Sequence, residues 1–459
     1  MTLTLKPKLT LTRPTRSRTI LVGAVTLCSV LTILGVVHQH QSVWQDDHLQ
    51  VLWLVENVRN SILPMPSPSP ARELEPEDNH LNSNNGYTPE VLPHACTSDQ
   101  LDVIQRHLPS DACLRTRTTP WKQMCSITQN TKCPDATWID NYYHHHQQRQ
   151  QNQPGRKFSF LGISVGCNKA FDAVEAMRRG SRNPKFDKAA WRQAMQDASG
   201  GQMASGVCNQ ELREQFHLTN HNHSHSGRHN DSQRRIPENA EMHCVEPMPV
   251  TAQALQRAAQ QLRYDTDGFI VTHAAIAKQS GSTYFPRASL SSQAHMTVKV
   301  GSENQGIDSC GDPNTAQTNP KCLKVPMYSL DEYAQKFIRR PPDDPIHILS
   351  IDVEGYDYDV ILGGMNDTLP RVEYLEFEYN WMGSWKTQTL QDAIQKLDSL
   401  HFSCYWAGSR GRLWRITNCF LDYYNVKHWS NVACVNRRRV PQLAADMERI
   451  FEQTLLETA

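Results

Sequence analysis

Apolar and polar positions alternate between residues 157 and 436 in a way that predicts strands and helices in turn. Residues 346–352 give the clearest strand, a short β-branched apolar run that ends directly in acidic residues. Residues 249–263 and 330–338 have apolar positions at helical spacing. Such alternation predicts an α/β fold with a doubly wound, mainly parallel sheet.

The remaining elements are less regular but continue the same alternation. Further strands are predicted at residues 158–161, 241–245, 268–273, 283–285, 295–300, 372–377, 402–407 and 413–420, and a helix at residues 169–179. Residues 180–240 are rich in Ser, Asn and His and predict a solvated insertion, with a helix at residues 188–197. Residues 437–459 predict a C-terminal helix.

A basic leader followed by an apolar run predicts a membrane anchor. Residues 1–18 hold five Lys or Arg residues and no acid, and residues 19–37 carry no charge. Nineteen helical residues span about 28 Å, close to the hydrocarbon thickness of a bilayer. The basic flank predicts a cytoplasmic tail and a luminal domain, hence a single-pass type II protein of the secretory pathway, with the Golgi as the expected compartment. A cleaved signal peptide is the alternative.

The residues after the anchor predict a linker and then a small Cys-rich segment. Residues 38–92 are rich in Pro, Ser, Asn and acids, which predicts a disordered stem. Residues 93–153 contain Cys96, Cys113, Cys125 and Cys133, and end in a His/Gln-rich spacer that begins at residues 144–146. A metal patch at these histidines is the sharper alternative to a plain spacer.

Cysteine usage and sequons agree with a luminal domain. Thirteen cysteines are present, and the twelve outside residues 19–37 should mostly form disulfides in an oxidising lumen. Cys310 and Cys322 flank a loop that a disulfide could close, while the Cys96 cluster lacks the C-x-x-C pair typical of zinc sites. Three sequons predict N-glycosylation, at Asn222, Asn230 and Asn366. Lys+Arg and Asp+Glu balance at 47 each, so the net charge does not favour a nucleic-acid partner.

The segment Asp352-Val-Glu354-Gly-Tyr-Asp357, with Val360-Ile-Leu-Gly-Gly after it, resembles the D-x-E-G-x-E…VL-x-G signature of FkbM-type S-adenosylmethionine-dependent methyltransferases. Asp357 stands where the family usually has Glu. Three other pieces follow the family order, namely residues 160–169 with the glycine-rich turn, residues 244–247 with the second strand, and residues 371–378 with the strand after the signature.

The resemblance implies a class I methyltransferase fold, closed by an antiparallel final pair of strands, with S-adenosylmethionine as cofactor. Its predicted cofactor-binding residues are Gly162, Gly166, Asn168, Lys169, Glu246 and Asp352. Glycines allow close backbone approach, and Glu246 would accept hydrogen bonds from the ribose diol. Asn168 as a helix N-cap is the alternative. The family often has an acid two residues before the first glycine, where this chain has Phe160.

Methyl transfer to a hydroxyl is helped by a general base within hydrogen-bond reach. Asp352, Glu354 and Glu378 are the predicted catalytic residues, because each lies at or near the carboxyl end of a predicted strand. Helix capping by Glu354 and Asp357 and a divalent metal held by Asp352 are the alternatives. Aromatic residues at 379, 381 and 385 predict either a sugar-stacking surface at the mouth of the site or part of the core.

These observations favour a membrane-anchored, luminal O-methyltransferase that acts on a glycan or another hydroxyl-bearing acceptor. A catalytically silent binding module with the same fold is the alternative from another class, kept open by Phe160 and the insertion. A type II glycosyltransferase would share the topology. Asp357-Tyr-Asp359 matches its D-x-D motif, but within a predicted helix.

Overall fold

The computed structural model describes residues 95–106, 137–151, 159–204, 239–287, 299–302, 310–311, 313–408, 411–425, 427 and 430–458. The predicted tail, anchor and stem, five of the cysteines (Cys28, Cys113, Cys125, Cys133 and Cys208) and the sequons at Asn222 and Asn230 lie outside these ranges. Among the described helices, none combines the length and the apolar character that crossing a bilayer requires. The anchor at residues 19–37 therefore stays a prediction.

Eleven strands are present in the described ranges, and eight of them form one sheet in the order β10-β9-β11-β8-β7-β1-β2-β3. Their bounds are β1 Ser159–Val165, β2 Asn239–Val245, β3 Phe269–Thr272, β4 Ala275–Ala277, β5 Gly281–Pro286, β6 Cys322–Ser329, β7 Ile346–Ile351, β8 Val372–Tyr379, β9 Phe402–Ala407, β10 Leu413–Arg415 and β11 Ser430–Asn436. Strands β8, β7, β1, β2 and β3 are parallel, whereas β11 is antiparallel to β8 and β9. This mixed central sheet is an α/β fold consistent with a Rossmann-like methyltransferase.

The antiparallel half of the sheet differs in detail from the prediction. The final pair was predicted at residues 402–407 and 413–420, but β11 lies between β8 and β9 and β10 is only three residues long. Strand β11 was not predicted from the sequence, although it is apolar and buried. A short apolar run in the sequence indicates a strand, but it does not show which strands will be its neighbours, because strand pairing depends on long-range contacts.

Strands β4, β6 and β5 form a separate three-stranded sheet. Strand β4 pairs with β6 in parallel, and β5 pairs with β6 in antiparallel register. The extended segment predicted at residues 283–285 is therefore β5 of this small sheet and not a strand of the central one.

Ten α-helices are present in the described ranges. They are α1 Ser98–Arg106, α2 Thr137–Gln151, α3 Phe171–Ser181, α4 Lys188–Ala198, α5 Pro249–Leu262, α6 Pro313–Thr318, α7 Leu330–Phe337, α8 Asp357–Leu362, α9 Leu390–Ser399 and α10 Pro441–Thr458. Helix α4 corrects the predicted extent of the insertion: its Trp191 and Met195 are fully buried in the same core as Phe186. Residues 181–204 therefore belong to the packed domain, while residues 205–238 lie outside the described ranges.

Helix α2 corrects the prediction of a His/Gln-rich spacer. Its apolar and aromatic face is buried, and Trp138 Nε1 donates a hydrogen bond to the Tyr374 hydroxyl at 3.0 Å. The Tyr142 hydroxyl donates to Glu373 Oε2 at 2.8 Å, and His146 is 2% exposed. The His-rich composition concealed this packing, because only one side of the helix faces solvent.

All eight cysteines in the described ranges form disulfides. The pairs are Cys96–Cys419, Cys167–Cys244, Cys310–Cys322 and Cys404–Cys434. The predicted closure of the loop between Cys310 and Cys322 is thus present. Cys96, predicted to belong to a local cluster, is instead joined to a residue 323 positions away, so the start of the described chain is tied to the sheet domain.

Candidate active site

The carboxyl ends of β1, β2 and β7 open into one crevice, as expected for the ligand site of an α/β sheet. The crevice encloses about 810 Å³ of empty space, and this volume includes open solvent at its mouth. The lining combines polar residues at the strand ends with an apolar wall: Val165, Gly166, Asn168, Val245, Glu246, Pro247, Met248, Thr251, Ala274–Ala277, Phe285, Gly301, Ser302, Met327, Asp352, Val353, Glu354 and Tyr356.

The glycine turn after β1 begins at Gly166. Its φ is +76°, and a Cβ there would lie 1.7 Å from the Asp352 carbonyl oxygen, so only glycine fits between β1 and β7. Gly162 is not in this turn, and its prediction as a turn residue is wrong. It lies in the middle of β1, where a Cβ would come within 2.5 Å of Met242 Sδ. The position two residues before the turn glycine is therefore Ser164 and not Phe160, which is buried in the core.

Asn168 and Glu246 meet at the ends of β1 and β2. The Asn168 backbone N–H donates to Glu246 Oε2 at 2.8 Å, and the Met248 N–H donates to Oε1 at 2.8 Å. Glu246 is 4% exposed, and burial raises its pKa to about 7 although both hydrogen bonds act in the opposite direction. The carboxyl group is thus held rigidly at the crevice wall.

The Asn168 side chain holds an unsatisfied hydrogen-bond acceptor beside the crevice. Its φ is +47°, and its Oδ1 is buried with no hydrogen-bond partner among the described residues. Helix α3 begins at Phe171 with Ala170 at the N-cap position, so Asn168 is not the N-cap. An orphaned amide oxygen in a crevice is a candidate acceptor for a ligand N–H or O–H group.

Three backbone amides of the turn are already used within the protein. The N–H groups of Gly166 and Cys167 both donate to the Val245 carbonyl, at 2.9 and 3.2 Å, and that of Asn168 donates to Glu246. They are therefore not available for a cofactor carboxylate. Lys169 is also turned away: it is buried, its Nζ donates to the Gly301 carbonyl at 3.1 Å, and it does not line the crevice.

Asp352 and Glu354 line the crevice at the end of β7. The Asp352 N–H donates to the Val165 carbonyl at 2.9 Å, which joins this loop to β1. Glu354 and Gly355 have φ values of +55° and +94°, and a Cβ on Gly355 would lie 2.4 Å from the Met382 carbonyl carbon. Close contact with the loop after β8 therefore holds the acidic loop in a left-handed conformation that a non-glycine residue rarely adopts.

Glu378 and Asp357 form a second layer of carboxyl groups next to Asp352. Burial raises the pKa of Glu378 well above its usual range, and the charges of the neighbouring carboxylates raise it further. Burial and the Asp352 charge likewise raise the pKa of Asp357, which is fully buried and whose Oδ1 accepts the Glu378 N–H at 3.2 Å. Glu378 itself does not line the crevice. The raised pKa values favour the protonated form of the Asp357 and Glu378 carboxyl groups behind the crevice.

Two alternatives from the sequence can be compared with this geometry. Tyr356, and not Glu354, is the N-cap of α8, and Asp357 occupies its first turn without exposure to solvent. Tyr379 and Trp385 are fully buried in the core, so neither belongs to a sugar-stacking surface at the mouth.

A histidine and glutamate cluster lies at the opposite edge of the sheet. Ligand-type atoms of His146, His347 and Glu373 lie within 4.8 Å of one another, and all three residues are buried. However, His347 Nδ1 accepts the Leu161 backbone N–H at 3.0 Å, which places the ring proton on Nε2. A ring nitrogen that carries a proton donates a hydrogen bond and does not ligate a metal, so the cluster is better described as a polar contact between α2 and the sheet.

The crevice wall that the small sheet contributes was not predicted from the sequence. Ala275, Ile276, Phe285 and Met327 supply part of the apolar lining. The disulfide between Cys167 and Cys244 was not predicted either, although both residues stood inside the quoted motifs. The fixed spacing of the signature indicated neither the wall nor the disulfide, because both depend on contacts between distant segments.

Comparison with known proteins supports the assignment of a Rossmann-like methyltransferase fold. The family model described as the methyltransferase FkbM domain matches residues 225–404. The match includes Glu246, Asp352, Glu354 and Glu378, and it begins after the Gly166 turn. Neither a curated protein nor a solved structure matches the chain. The predicted resemblance to the FkbM methyltransferase family is therefore confirmed over residues 225–404.

Proposed function

We propose that the protein transfers a methyl group from S-adenosylmethionine to a hydroxyl group of an acceptor. The observation that carries this proposal is the convergence of Gly166, Asn168, Glu246, Asp352 and Glu354 on one crevice. These residues come from three strand ends separated by almost two hundred positions. The FkbM match supports methyl transfer as the reaction class.

The residues present fit this cofactor. Asn168 Oδ1, buried and without a partner among the described residues, would accept a hydrogen bond from it. Glu246 lines the crevice and would accept hydrogen bonds from a ribose diol, and the apolar wall with Met248 and Phe285 would cover a flat base. When bound, S-adenosylmethionine supplies an electrophilic methyl group on a positively charged sulfonium.

The charge of the crevice supports the same proposal. Among its described lining residues are three acids, Glu246, Asp352 and Glu354, and none is Lys or Arg. A negative potential favours a cation and disfavours an anionic acceptor. We therefore propose an uncharged acceptor, such as a neutral glycan hydroxyl, rather than a carboxylated, sulfated or phosphorylated one.

Asp352 and Glu354 are the residues we assign to the hydroxyl of the acceptor. Glu354 would accept its proton as general base, since it lines the crevice and is half-buried. The buried carboxyls of Asp357 and Glu378 behind it, whose pKa values are raised, limit the build-up of charge.

The setting we propose is the lumen of the secretory pathway, with the Golgi as the compartment and residues 19–37 as the anchor. The support comes from the uncharged run after a basic leader and from the four disulfides of the described residues. A disulfide-rich domain would not keep its pairs oxidised in the cytosol.

The test is transfer of radiolabelled methyl by the purified full-length chain in detergent to a panel of neutral and acidic glycans. We expect label on neutral glycans, lost in the Glu246→Ala and Asp352→Ala variants and kept in a Glu452→Ala control, which alters an exposed acid on α10. Label transfer that both crevice variants retain would refute the site assignment. Failure of the parent chain to bind S-adenosylmethionine would refute the enzyme and favour the silent binding module.

A further inference from the structure

A disulfide connects the two segments that carry residues assigned to the cofactor. Cys167 is the residue after Gly166, and Cys244 is the residue two positions before Glu246. Both cysteines are buried, with 6% and 0% exposure. The bond therefore joins the glycine turn to β2 at the level where Asn168 and Glu246 meet.

The turn that this disulfide holds is strained. Within five residues, Gly166, Asn168 and Ala170 all have positive φ values, of 76°, 47° and 57°. Asn tolerates this region, but Ala rarely adopts it. A turn of this kind persists only when its surroundings hold it in place.

Three hydrogen bonds and one covalent bond provide that restraint, and all four run to the same strand end. The hydrogen bonds are the Gly166 and Cys167 donations to Val245 and the Asn168 donation to Glu246. Without the disulfide, only these hydrogen bonds would connect residues 166–168 of the turn to the end of β2. Relaxation would move Asn168 Oδ1 away from the crevice and remove one hydrogen bond from Glu246.

We propose that Cys167 and Cys244 are positioning residues of the cofactor site, so that the disulfide sets the affinity for S-adenosylmethionine. The inference rests on the proposed function. It differs from a general stabilising role, because a disulfide elsewhere in the sheet would affect unfolding without affecting the cofactor. The methyl-transfer step itself is not altered.

The chain offers a matched control in Cys404–Cys434, which joins β9 to β11. This pair is fully buried, like Cys244, but it lies in the antiparallel half of the sheet, away from β1 and β2. Replacing each pair by two alanines removes one disulfide and leaves similar small side chains in the core.

The first experiment measures the Kd for S-adenosylmethionine by calorimetry on three full-length proteins: the parent, Cys167→Ala/Cys244→Ala and Cys404→Ala/Cys434→Ala. Both double variants should lose thermal stability, but only the first should bind the cofactor about tenfold more weakly or worse. Its KM for S-adenosylmethionine should increase more than its KM for the acceptor. Equal cofactor affinity in both double variants would overturn the inference.

The second experiment needs no variant and covers the case in which Cys167→Ala/Cys244→Ala does not fold. Mild reductant is added to the parent chain with and without S-adenosylhomocysteine, and each newly free thiol is alkylated and quantified by mass spectrometry. Because coupling between two equilibria is reciprocal, the ligand should lower the fraction of Cys167–Cys244 that is reduced at equilibrium but not that of Cys404–Cys434.

The outcomes separate the two proposals. Equal reduction of Cys167–Cys244 with and without ligand, in a parent chain that binds the ligand, would refute the positioning role alone. A parent chain that binds neither S-adenosylmethionine nor S-adenosylhomocysteine would refute the proposed function.

Discussion

The backbone N–H of Asn168 lies 2.8 Å from Glu246 Oε2 and fixes the carboxyl group that ends β2 against the turn that follows β1. Glu246 is nearly inaccessible to solvent, and burial raises its pKa to about 7. Its protonation state therefore changes near neutral pH, where a ribose diol would favour the ionised form as hydrogen-bond acceptor.

Cofactor affinity should accordingly rise with pH. Between pH 6 and pH 8 we expect the Kd for S-adenosylmethionine to fall by about tenfold, because the bound form requires an ionised Glu246. Calorimetric titration at several pH values measures this dependence. The Glu246→Gln variant should bind more weakly and show no such dependence, and a parent Kd that is constant over this range would contradict the assignment of Glu246.

The stability of the ligand-free protein should show the opposite trend. The folded-state pKa of Glu246 is raised from 4.5 to about 7, so the folded state binds more protons than the unfolded state between these values. The free energy of unfolding should therefore fall as pH rises through this window, by about 3 kcal/mol at most, and level off above it. Denaturant unfolding of parent and Glu246→Gln at pH 5 and pH 8 isolates this contribution.

Replacement of Gly166 by Ala should remove cofactor binding and destabilise the domain. The added Cβ would collide with the Asp352 carbonyl oxygen in a backbone conformation unfavourable for Ala, and we expect a loss of about 2 kcal/mol or more. Thermal unfolding and cofactor titration measure both effects. Gly281→Ala is the control, because the nearest heavy atom to its new Cβ is Met327 Cε at 3.9 Å. Equal behaviour of the two variants would argue against the close approach of β1 and β7.

The two crevice acids of the β7 loop should differ in their kinetic roles. Asp352 adjoins the glycine turn through its backbone, so Asp352→Asn should weaken cofactor binding and lower kcat together. Glu354→Gln should keep the cofactor Kd and lower kcat by about 10²–10⁴, the usual contribution of a general base. Glu378→Gln should have a smaller effect, since Glu378 does not line the crevice. Steady-state kinetics with binding measurements separate these cases, and full activity of Glu354→Gln would exclude it as the base.

Asn366 is the sequon that the structure describes, and it lies on an exposed turn after α8. Its backbone N–H and that of Thr368 donate to the Asp331 carboxylate, which orders the turn. We expect a glycan here if the domain is luminal, so Asn366→Gln should remove one glycosidase-sensitive mobility shift. Thr368→Ala is a poor substitute because the Thr368 hydroxyl is buried and bonded to the Leu330 carbonyl. An unchanged mobility of Asn366→Gln would leave this sequon unused.

The parallel half of the fold could be predicted because its information is local. The apolar run of β7 and the acids that follow are adjacent in sequence, and so are β2 and Glu246. The sequence could not distinguish Gly162 from Gly166, because both are glycines next to an apolar strand. Their difference lies in Met242, which fills the space above Gly162, and in Asp352, which contacts Gly166.

Contacts between distant segments explain the other differences between the sequence-based predictions and the structure. His146 appeared to belong to a polar spacer, yet it packs 4.5 Å from His347, measured between ring centroids, at a separation of about two hundred residues. The pairing of Cys96 with Cys419 was equally hidden, since no spacing rule identifies a partner 323 positions away.

That long-range bond has a practical consequence for handling the protein. Cys96–Cys419 makes the chain between its two ends a covalent ring, and Cys167–Cys244 closes a smaller ring around residues 205–238. A protease that cuts once within those residues therefore releases nothing: the two pieces stay linked and migrate together until a reductant separates them. A preparation judged intact on a non-reducing gel can thus consist entirely of cleaved chains, and only comparison of gels run with and without reductant reveals the cut.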